Sequence, residues 1–400
     1  MHILQINTVC GIGSTGRIAI DLQALLVKLG HQGTIAFGRN TAINCTQTIR
    51  IGNNLDSCLH VAKTRLLDAH GFGSAAATKA FLKKIETLDP DVIHLHNLHG
   101  YYIHIGLLFD FLKDFHKPVV WTLHDCWAMT GHCAHFEHID CNLWKDECHD
   151  CPAKSEYPKS WFLDGSKWNH QKKKKLLTGV RNLTIVTPSR WLERLVKGSY
   201  LRDYPLSVIY NGIDLNVFKP VSSDFRNRHN LQGKFVLLGV ASAWVESKGF
   251  AHFIELAKKL KSDEKIVLVG VNDEQVRHLP LEIIGISRTG NINELAEIYS
   301  AVDLFVNPTL ADTFPTTNLE ALACGTPVVT FNTGGCSECL EDGCGLVVER
   351  GNIARLVEAI ADIKQAGKAS YSAKCRERAE NFYDSKVQLA EYVSLYKTII

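Results

Sequence analysis

The sequence has no marked excess of charge of either sign, with 44 lysines and arginines against 42 aspartates and glutamates in 400 residues. Without a basic excess, the chain lacks the electrostatic footprint of a nucleic-acid-binding protein. No apolar run approaches the ~18 residues that a transmembrane helix needs. The chain starts with a strand-like segment, MHILQIN, instead of a charged stretch followed by an apolar one. We therefore expect no signal peptide and a cytoplasmic location.

Cysteine is plentiful, with thirteen residues, and without an export signal the thiols are expected to be reduced. Four of them have the spacing C-x7-C-x6-C-x2-C within an insertion at residues 131–152: Cys133, Cys141, Cys148 and Cys151. Four thiolates can hold zinc tetrahedrally, and such a closed site would be structural. Nearby His132, His135 and His149 could replace one ligand. Buried thiols or adventitious pairing remain the alternatives.

Short apolar runs alternate with helical patterns along the whole chain, without internal repeats. Such runs predict buried parallel strands in βαβ units. The runs are HILQIN, TIAFG, DVIHLH, PVVWTLH, LTIVTPS and LSVIYNG in the first half, and FVLLGVAS, KIVLVG, LEIIGI, LFVNPT, PVVTF and GLVVE in the second. Two series predict an α/β protein of two doubly wound, Rossmann-like domains with a ligand crevice at the strands' C-terminal ends. We place the domains at 1–212 and 213–383, with a closing amphipathic helix at 384–400.

The first predicted strand is followed by Gly11-Ile-Gly13-Ser-Thr-Gly16, a G-x-G-x-x-G pattern that opens a helix. Such a loop lets the backbone approach a phosphate at the helix N-terminus. A dinucleotide site also needs an acidic residue after the second strand, where this chain has Gly38-Arg39-Asn40. This weakens an NAD site, although Arg39 leaves an NADP site conceivable. A tight turn without a ligand is the other interpretation.

The segment ADTFPTTNLEALACGTPVV, residues 311–329, holds two carboxylates, Asp312 and Glu320. Thr317-Asn-Leu-Glu320 matches a T-x-x-E capping box, so Glu320 could serve only its own helix. Alternatively, N–H groups at the helix start bind a phosphate while the two carboxylates accept hydrogen bonds from sugar and ribose hydroxyls. Residues alone leave both interpretations open.

Two lysine-containing segments also have alternative interpretations. Lys248-Gly249 follows a predicted strand, and a lysine at such a turn can meet a diphosphate, although most exposed lysines do not. WFLDGSKWNHQKKKKLL places four lysines at 172–175 beside aromatic residues. That stretch is either a solvated helix face or a basic surface that contacts an anionic membrane.

The spacing Asp312-x7-Glu320 followed by EALACGTPVV resembles the E-x7-E signature of the retaining glycosyltransferases of family 4, which have the GT-B fold. Other matches are NELAEIYSAVDLFVNPT, NTGGCSECLEDGCGLVV, VTPSRWL, YNGID and the glycine loop. They cover nearly the whole chain in the correct order. WTLHDCWAMTGHC is similar to transferases of bacterial exopolysaccharide and colanic-acid-type assembly.

The resemblance implies a role for each matching position of the second domain. Glu320 would bind the donor ribose, Asp312 would hold hydroxyls of the transferred sugar, and Lys248 would neutralise the departing diphosphate. Backbone groups of the intervening segment would complete the donor site, those from 314 to 316 facing the sugar and the next two the phosphates: Phe314, Pro315, Thr316, Thr317 and Asn318.

In the first domain, the resemblance implies that Gly13 and Gly16 border the donor and that His124 lies beside the donor sugar. A satisfied histidine at a strand end is the alternative for His124. Two departures matter. The first acidic position is Asp instead of the commoner Glu, and the family's frequent arginine falls on Ala243. Diphosphate charge would then fall to Lys248, the helix N-terminus and Arg17 or Arg288.

The resemblance implies a metal-independent, retaining hexosyltransferase. It would move a sugar from a nucleotide-diphosphate sugar to a glycan or lipid-linked acceptor in exopolysaccharide, capsule or O-antigen synthesis. The first domain would serve the acceptor, the second the nucleotide sugar, and the last helix would pack back on the first domain. Peripheral contact with the inner membrane is expected if the basic stretch binds lipid. An NADP-linked oxidoreductase and a catalytically decayed glycan-binding protein are the alternatives.

Overall fold

The computed structural model describes residues 1–400 and divides them into two compact units. Unit 1 comprises residues 1–209 together with 389–400, and unit 2 comprises residues 210–388. Each unit is built around one parallel sheet with its own hydrophobic core. The two predicted doubly wound domains are confirmed.

The sheet of unit 1 has seven strands in the order β3-β2-β1-β4-β5-β6-β7. The strands are β1 His2–Asn7, β2 Gln32–Phe37, β3 Thr48–Arg50, β4 Val92–Leu95, β5 Val119–Thr122, β6 Leu183–Thr187 and β7 Leu206–Val208. The helices are α1 Gly13–Lys28, α2 Asn54–Leu67, α3 Ala75–Leu88, α4 Ile105–Asp114, α5 Ser166–Leu177 and α6 Arg190–Lys197. Because the chain runs from β1 out to β2 on one side and then returns to β4 on the other, the order reverses between β1 and β4.

The sheet of unit 2 has six strands in the order β10-β9-β8-β11-β12-β13. The strands are β8 Phe235–Val240, β9 Glu264–Val269, β10 Ile283–Ile286, β11 Leu304–Asn307, β12 Val328–Phe331 and β13 Gly345–Val348. The helices are α7 Phe225–Arg228, α8 Phe250–Ala257, α9 Asp273–Arg277, α10 Ile292–Ala301, α11 Thr316–Ala323, α12 Ile353–Ala366, α13 Ala369–Phe382 and α14 Ser385–Ile399. Here the order reverses between β8 and β11.

All twelve strand-like runs form strands, because a parallel strand covered on both faces is a continuous apolar run. The additional strand β3 has only three residues, Thr48–Arg50, and each of them is half-buried. It pairs in parallel with β2 from Ile35 to Phe37. A short, half-polar edge strand leaves no apolar run in the sequence, which is why the pattern did not reveal it.

The last helix, α14, contributes its residues from Leu389 onward to unit 1. Tyr392, Val393 and Tyr396 are buried against Ile3 of β1 and Leu22 of α1. Thr122 at the end of β5 donates a 3.2 Å hydrogen bond to the hydroxyl of Tyr392, and the Tyr396 hydroxyl lies 2.6 Å from Nδ1 of His94. Unit 1 is therefore completed by the chain's final segment. None of the helices is both long and apolar enough to cross a membrane.

Candidate functional site

The start of α11 lies just beyond the carboxyl end of β11, next to the point where the strand order of unit 2 reverses. Ligands of open α/β sheets bind at such switch points. The residue that caps the helix is Pro315, and Thr317 lies within the first turn, so the predicted capping box is wrong. The buried Glu320 instead accepts a 3.0 Å hydrogen bond at Oε2 from the hydroxyl of Tyr299 on α10.

Lys248 and Asp312 are brought together although 64 residues separate them in the chain. Lys248 follows β8 and Asp312 follows β11, and these neighbouring parallel strands end at the same edge of the sheet. Nζ of Lys248 lies 2.5 Å from Oδ2 of Asp312. Burial by itself lowers the pKa of Lys248, but the contact with Asp312 outweighs it and the net effect raises that pKa. The lysine is therefore held as a cation at this edge.

The backbone between Asp312 and α11 offers fewer donors than the sequence predicted. Pro315 has no N–H group. The N–H of Phe314 donates to Oδ1 of Asp312 at 3.3 Å, and the N–H of Asn318 donates to the carbonyl of Pro315 at 3.2 Å. In any helix, the N–H groups of the first turn have no intrahelical acceptor and point out of the N-terminus. The donors that suit a ligand here are thus those of Thr316 and Thr317.

The side chain of Asn318 holds the start of α11 in place. It is fully buried, and its Oδ1 accepts a 2.8 Å hydrogen bond from Nδ2 of Asn307 at the end of β11. This contact fixes the helix start to the strand.

Arg288 lies exposed just beyond β10, the edge strand, and therefore two strands away from β8.

Two features of this edge were missed by the sequence analysis. The hydroxyls of Thr313 and Thr333 are buried without a hydrogen-bond partner, which is uncommon unless a ligand or water completes them. In addition, the N–H of Gly335 donates to the carbonyl of Asp312 at 3.3 Å, so the Gly334-Gly335 turn after β12 packs on the acidic residue. The threonines carry no local sequence signal, since their importance depends on burial.

The glycine loop of unit 1 forms the predicted strand-to-helix turn. Gly11 and Gly13 have φ values of 75° and 65°, and α1 begins at Gly13. A Cβ added to Gly11 would lie 2.3 Å from the carbonyl oxygen of Ile43. Gly16 is buried, and its carbonyl accepts a 3.1 Å hydrogen bond from the N–H of Gly11. At least one of these glycines, Gly11, is therefore required whether or not a ligand binds, because a side chain there would clash with the backbone.

His124 lies just beyond β5, at the same edge of the unit 1 sheet as the glycine loop. Its Nε2 is 3.1 Å from Nδ1 of His96, and Nε2 of His96 is 3.0 Å from Oε1 of Gln5. The Gln5 amide nitrogen donates to the carbonyl of Ala19 at 2.9 Å, so its oxygen faces His96. An amide oxygen only accepts, so His96 carries its proton on Nε2 and accepts at Nδ1. His124 must then donate from Nε2.

Burial lowers the pKa of His124 to about 4, although Asp125 raises it in part. The ring is therefore neutral near pH 7. With its proton held on Nε2 by His96, the lone pair of His124 lies on Nδ1. A neutral imidazole in this tautomer accepts a hydrogen bond from a hydroxyl group.

A polar and aromatic cluster next to His124 was also missed. Nε2 of His99 lies 2.6 Å from Oδ2 of Asp125, and Nδ1 of His99 lies 2.9 Å from the hydroxyl of Tyr157. Burial by itself raises the pKa of Asp125, but His99, His135 and the N–H of Trp127 together lower it more, so the net effect lowers it. A narrow cleft is lined by these side chains together with the ring of Trp127: His99, His124 and Asp125. The cleft offers hydroxyl-binding groups beside an aromatic ring.

The four cysteines predicted to bind zinc line one small cavity, but no group of three His, Cys, Asp or Glu side chains in the structure is disposed to hold a metal ion. Cys133 and Cys151 are hydrogen-bonded to each other, which raises the pKa of the former and lowers that of the latter. The N–H of Gly131 donates to Sγ of Cys148 at 3.2 Å. These contacts engage Cys133, Cys148 and Cys151 without arranging the four thiols around one centre.

His132 lines the same cavity. Its Nδ1 lies 2.6 Å from Oδ1 of Asp68, both side chains are fully buried, and its Nε2 has no hydrogen-bond partner. A carboxylate behind a histidine is the usual support of a metal-ligating imidazole. The residues present thus suit a metal chemically, although they are not placed around one.

Lys173, from the lysine stretch at 172–175, is buried and is not part of a basic surface. It donates to the carbonyl of Trp127 at 2.8 Å, and burial lowers its pKa to about 7.

Two family models match the chain. The model described as Glycosyltransferase Family 4 matches residues 15–217, and the model described as Glycosyl transferases group 1 matches residues 234–365. Among curated proteins, the putative colanic acid biosynthesis glycosyl transferase WcaC of Escherichia coli K12 is 25% identical over the full length of both chains. An N,N'-diacetylbacillosaminyl-diphospho-undecaprenol alpha-1,3-N-acetylgalactosaminyltransferase of Campylobacter jejuni is 29% identical, over 50% of this chain and 56% of that protein.

Solved structures with the same fold are also similar over the whole chain. Sucrose-phosphate synthase from Thermosynechococcus elongatus superposes with a TM-score of 0.73 at 17% identity, covering 100% of this chain and 98% of that one. Anabaena Alr3699/HepE, crystallised with UDP and glucose, superposes with a TM-score of 0.70 at 16% identity and full coverage of both chains. At these identities the likeness establishes the two-domain GT-B fold alone.

Proposed function

The chain belongs to glycosyltransferase family 4, and from this premise we propose that it moves a hexose from a nucleotide-diphosphate sugar to a glycan or lipid-linked acceptor in bacterial polysaccharide synthesis. The full-length similarity to a putative colanic acid biosynthesis transferase supports the pathway. The name of the Campylobacter relative, which acts on a diphospho-undecaprenol compound, supports a lipid-linked acceptor. Retention of the anomeric configuration is part of the proposal, by analogy with the family.

The observation on which the proposal rests is the pairing of Lys248 with Asp312 at the switch point of unit 2. Next to this pair, the first turn of α11 presents the N–H groups of Thr316 and Thr317. A cation and a helix N-terminus together suit a diphosphate. We assign the diphosphate to these groups, the sugar hydroxyls to Asp312, and the ribose to Glu320.

These groups would promote transfer by stabilising charge. The negative charge that develops on the leaving diphosphate would meet Lys248 and the helix N-terminus, where the loss of one preorganised donor typically costs ~3 kcal/mol of the barrier. The acceptor hydroxyl would pass its proton to the departing phosphate oxygen. No metal is required at the reacting centre in this scheme, because the cation and the helix supply the positive charge.

In unit 1, we assign to His124 the role of accepting a hydrogen bond from a sugar hydroxyl at Nδ1. The cleft lined by His99, Asp125 and Trp127 is assigned to acceptor hydroxyls. Gly13 and Gly16 would border the donor through their backbone. Arg288, which is exposed at the edge of its sheet, receives only a supporting role toward the diphosphate.

A ligand panel tests the proposal. UDP-, GDP- and ADP-sugars are added separately to the protein, and the melting temperature and the release of nucleoside diphosphate are measured. A donor at 100 times its Kd adds ~2.7 kcal/mol of stability, so the true donor should raise the melting temperature. The Lys248→Met variant should lose most of the diphosphate release at an unchanged melting temperature without ligand.

The panel also separates the alternatives. Stabilisation by a sugar nucleotide without diphosphate release, in the presence of any acceptor offered, would indicate a decayed glycan-binding protein. No stabilisation by any donor would count against the proposal. The NADP-linked oxidoreductase has no support from the family matches, and the Arg39 guanidinium is engaged by the carbonyl of Gly100 at 3.3 Å.

A further inference from the structure

One of the four consecutive lysines of α5 is turned into unit 1. Lys172, Lys174 and Lys175 are exposed, whereas Lys173 is 1% exposed. Lysine is almost never buried to this extent unless its ammonium group is paired, because burial removes the water that solvates the charge. The side chain of Lys173 must therefore be held by contacts inside unit 1 that replace this water.

The contacts of Lys173 lie on one short segment. Its Nζ donates to the carbonyl of Trp127 at 2.8 Å and to the carbonyl of Thr130 at 3.1 Å, and it lies 3.5 Å from the centroid of the Trp127 ring. An ammonium group in this position is attracted by the face of the indole. The segment Trp127–Met129 is a single 3₁₀ turn, which is too short to pair all of its own carbonyl groups. Lys173 therefore supplies donors that the turn itself lacks.

Lys173 is not buried in order to neutralise an acid. Two carboxylates lie close enough to interact with its charge, those of Asp68 and Asp125. Each of them has another partner, because Asp68 is paired with His132 and Asp125 with His99, both at 2.6 Å. The direct partners of the ammonium group are thus the carbonyl groups and the ring of the turn.

The same turn contributes to the cleft assigned to the acceptor. The N–H of Trp127 donates to Oδ1 of Asp125 at 2.8 Å, and Oδ2 of Asp125 lies 2.6 Å from Nε2 of His99. All three of these residues line the cleft. The hydroxyl of Tyr200 donates to the carbonyl of Ala128, so a second side chain from outside the turn also holds its backbone. The orientation of Asp125, and through it that of His99, depends on where these donors hold the turn.

We propose that Lys173 is a positioning residue of the acceptor cleft, which holds the turn at 127–130 so that Asp125 keeps His99 in place for acceptor hydroxyls. Lys173 does not line the cleft and acts only through the turn. Without its ammonium group, the carbonyls of Trp127 and Thr130 would be left without donors, which is costly for buried groups, so the turn would shift toward other donors. This inference rests on the proposed transferase function and deepens it.

The hydrogen bond between His99 and Asp125 provides a test that needs no substrate. A short hydrogen bond between an imidazole N–H and a carboxylate gives a ¹H NMR signal at low field, and His99→Gln identifies that signal in histidine-labelled protein. Lys173→Met removes the ammonium group but keeps an unbranched side chain, and it should shift or abolish the His99 signal. Lys172→Met is the matched control, because it makes the same change at the exposed neighbouring position and should leave the signal unchanged.

Turnover then separates the acceptor from the donor. Transfer of labelled sugar, from the sugar nucleotide that stabilises the wild type, is measured onto an organic extract of bacterial membrane lipids. For Lys173→Met, the amount of extract that gives half the maximal rate should rise by roughly tenfold or more, the effect of displacing one hydrogen bond to a charged group. The KM for the donor should not change, since Lys248 and Asp312 lie in unit 2. Lys172→Met should behave like the wild type in both respects.

The proposal is overturned if Lys173→Met is folded and keeps both the His99 signal and the wild-type dependence on the extract. It is also overturned if the variant makes residues 131–152 protease-sensitive while the His99 signal stays the same, because Lys173 would then support only the cysteine-rich segment. If Lys173→Met does not fold, the same measurements on Lys173→Gln decide by the same criteria. Failure of every sugar nucleotide to bind would remove the transferase function, whereas a wild-type His99 signal in Lys173→Met would remove this inference alone.

Discussion

At the scale of single residues, the buried carboxylate of Glu320 would have to accept hydrogen bonds from both Tyr299 and the donor ribose. Its Oε2 accepts from the Tyr299 hydroxyl, and the capping role that its spacing from Thr317 suggested is absent. Hydroxyls of a ribose would need acceptors from the same group. Tyr299 is therefore a positioning residue that orients the carboxylate.

Glu320→Gln tests this assignment. The amide keeps the size and an acceptor for Tyr299 but loses the charge, and hydrogen bonds to charged groups contribute about 1.5–3 kcal/mol. We expect kcat/KM for the donor to fall by roughly 10- to 100-fold, with a change of less than about 1 kcal/mol in the free energy of unfolding. Tyr299→Phe is the companion variant. Turnover of Glu320→Gln close to that of the wild type would disprove the ribose role.

The tautomer of His124 is a second prediction at this scale. The neutral ring should carry its proton on Nε2 because Gln5 and His96 form a directed chain of hydrogen bonds. We expect a non-protonated Nδ1 for His124 in ¹⁵N NMR spectra of histidine-labelled protein near pH 7. Gln5→Met should produce a mixture of tautomers and reduce turnover several-fold.

The matched control for Gln5 is Gln23, the other buried glutamine of this region, which donates to the carbonyl of Gly33 at 2.8 Å outside the histidine chain. Gln23→Met should cost similar stability yet leave the NMR signature unchanged. A wild-type His124 that is protonated at Nδ1 would contradict the directed chain.

At the scale of elements, the cysteine-rich segment at 131–152 consists of turns and short 3₁₀ helices, Glu137–Ile139 and Leu143–Lys145, so its order depends on side chains. The thiols share one cavity with the unpartnered Nε2 of His132. A metal would need the sulfurs to turn from their mutual hydrogen bonds toward one centre. Binding would then hold together a segment that has little secondary structure of its own.

The zinc prediction is tested by elemental analysis of protein purified without added metal. We expect about one zinc per chain, because a structural tetrahedral site retains its ion through purification. Cys148→Ser should lose the zinc and become protease-sensitive within 131–152. Cys58→Ser, at an exposed position on α2, should keep it. Zinc-free protein with a protease-resistant segment would establish the alternative of buried thiols.

The elements that the sequence predicted are those specified by local pattern. The parallel strands are continuous apolar runs, and the turn after β1 follows from glycines that adopt positive φ. Pairings between distant residues left no such pattern. Lys248 with Asp312, and Gln5 with His96, depend on which strands lie side by side. The sequence likewise did not predict that α2 buries Ser57, His60 and Thr64 while its leucines are exposed, because a leucine stripe at helical spacing normally predicts a core face.

At the scale of the whole molecule, unit 1 is assembled from both ends of the chain. Residues 389–400 return to it, and Tyr396 meets His94 in the middle of the sheet. The interior that the last helix covers is unusually rich in histidine. The rings of His94 and His96 lie with their centroids 4.1 Å apart and tilted by 36°, and the ring of His124 stacks on that of His96 at 5.4 Å. A core of this kind makes the stability of unit 1 depend on proton binding.

Burial lowers the pKa of His60 to about 3, of His94 to about 3 and of His124 to about 4. An unfolded histidine titrates near 6.5, so between that pH and the folded values the unfolded state binds more protons. Stability therefore falls as the pH drops through this window, by up to about 1.4 kcal/mol per pH unit for each histidine.

Denaturant titrations at pH 7, 6 and 5 should show steep destabilisation. His94→Gln should flatten the slope by one histidine's share, whereas His278→Gln, at an exposed position of unit 2, should leave it unchanged. A free energy of unfolding that is constant from pH 7 to pH 5 would mean that the buried rings are charged or that they open to solvent without unfolding.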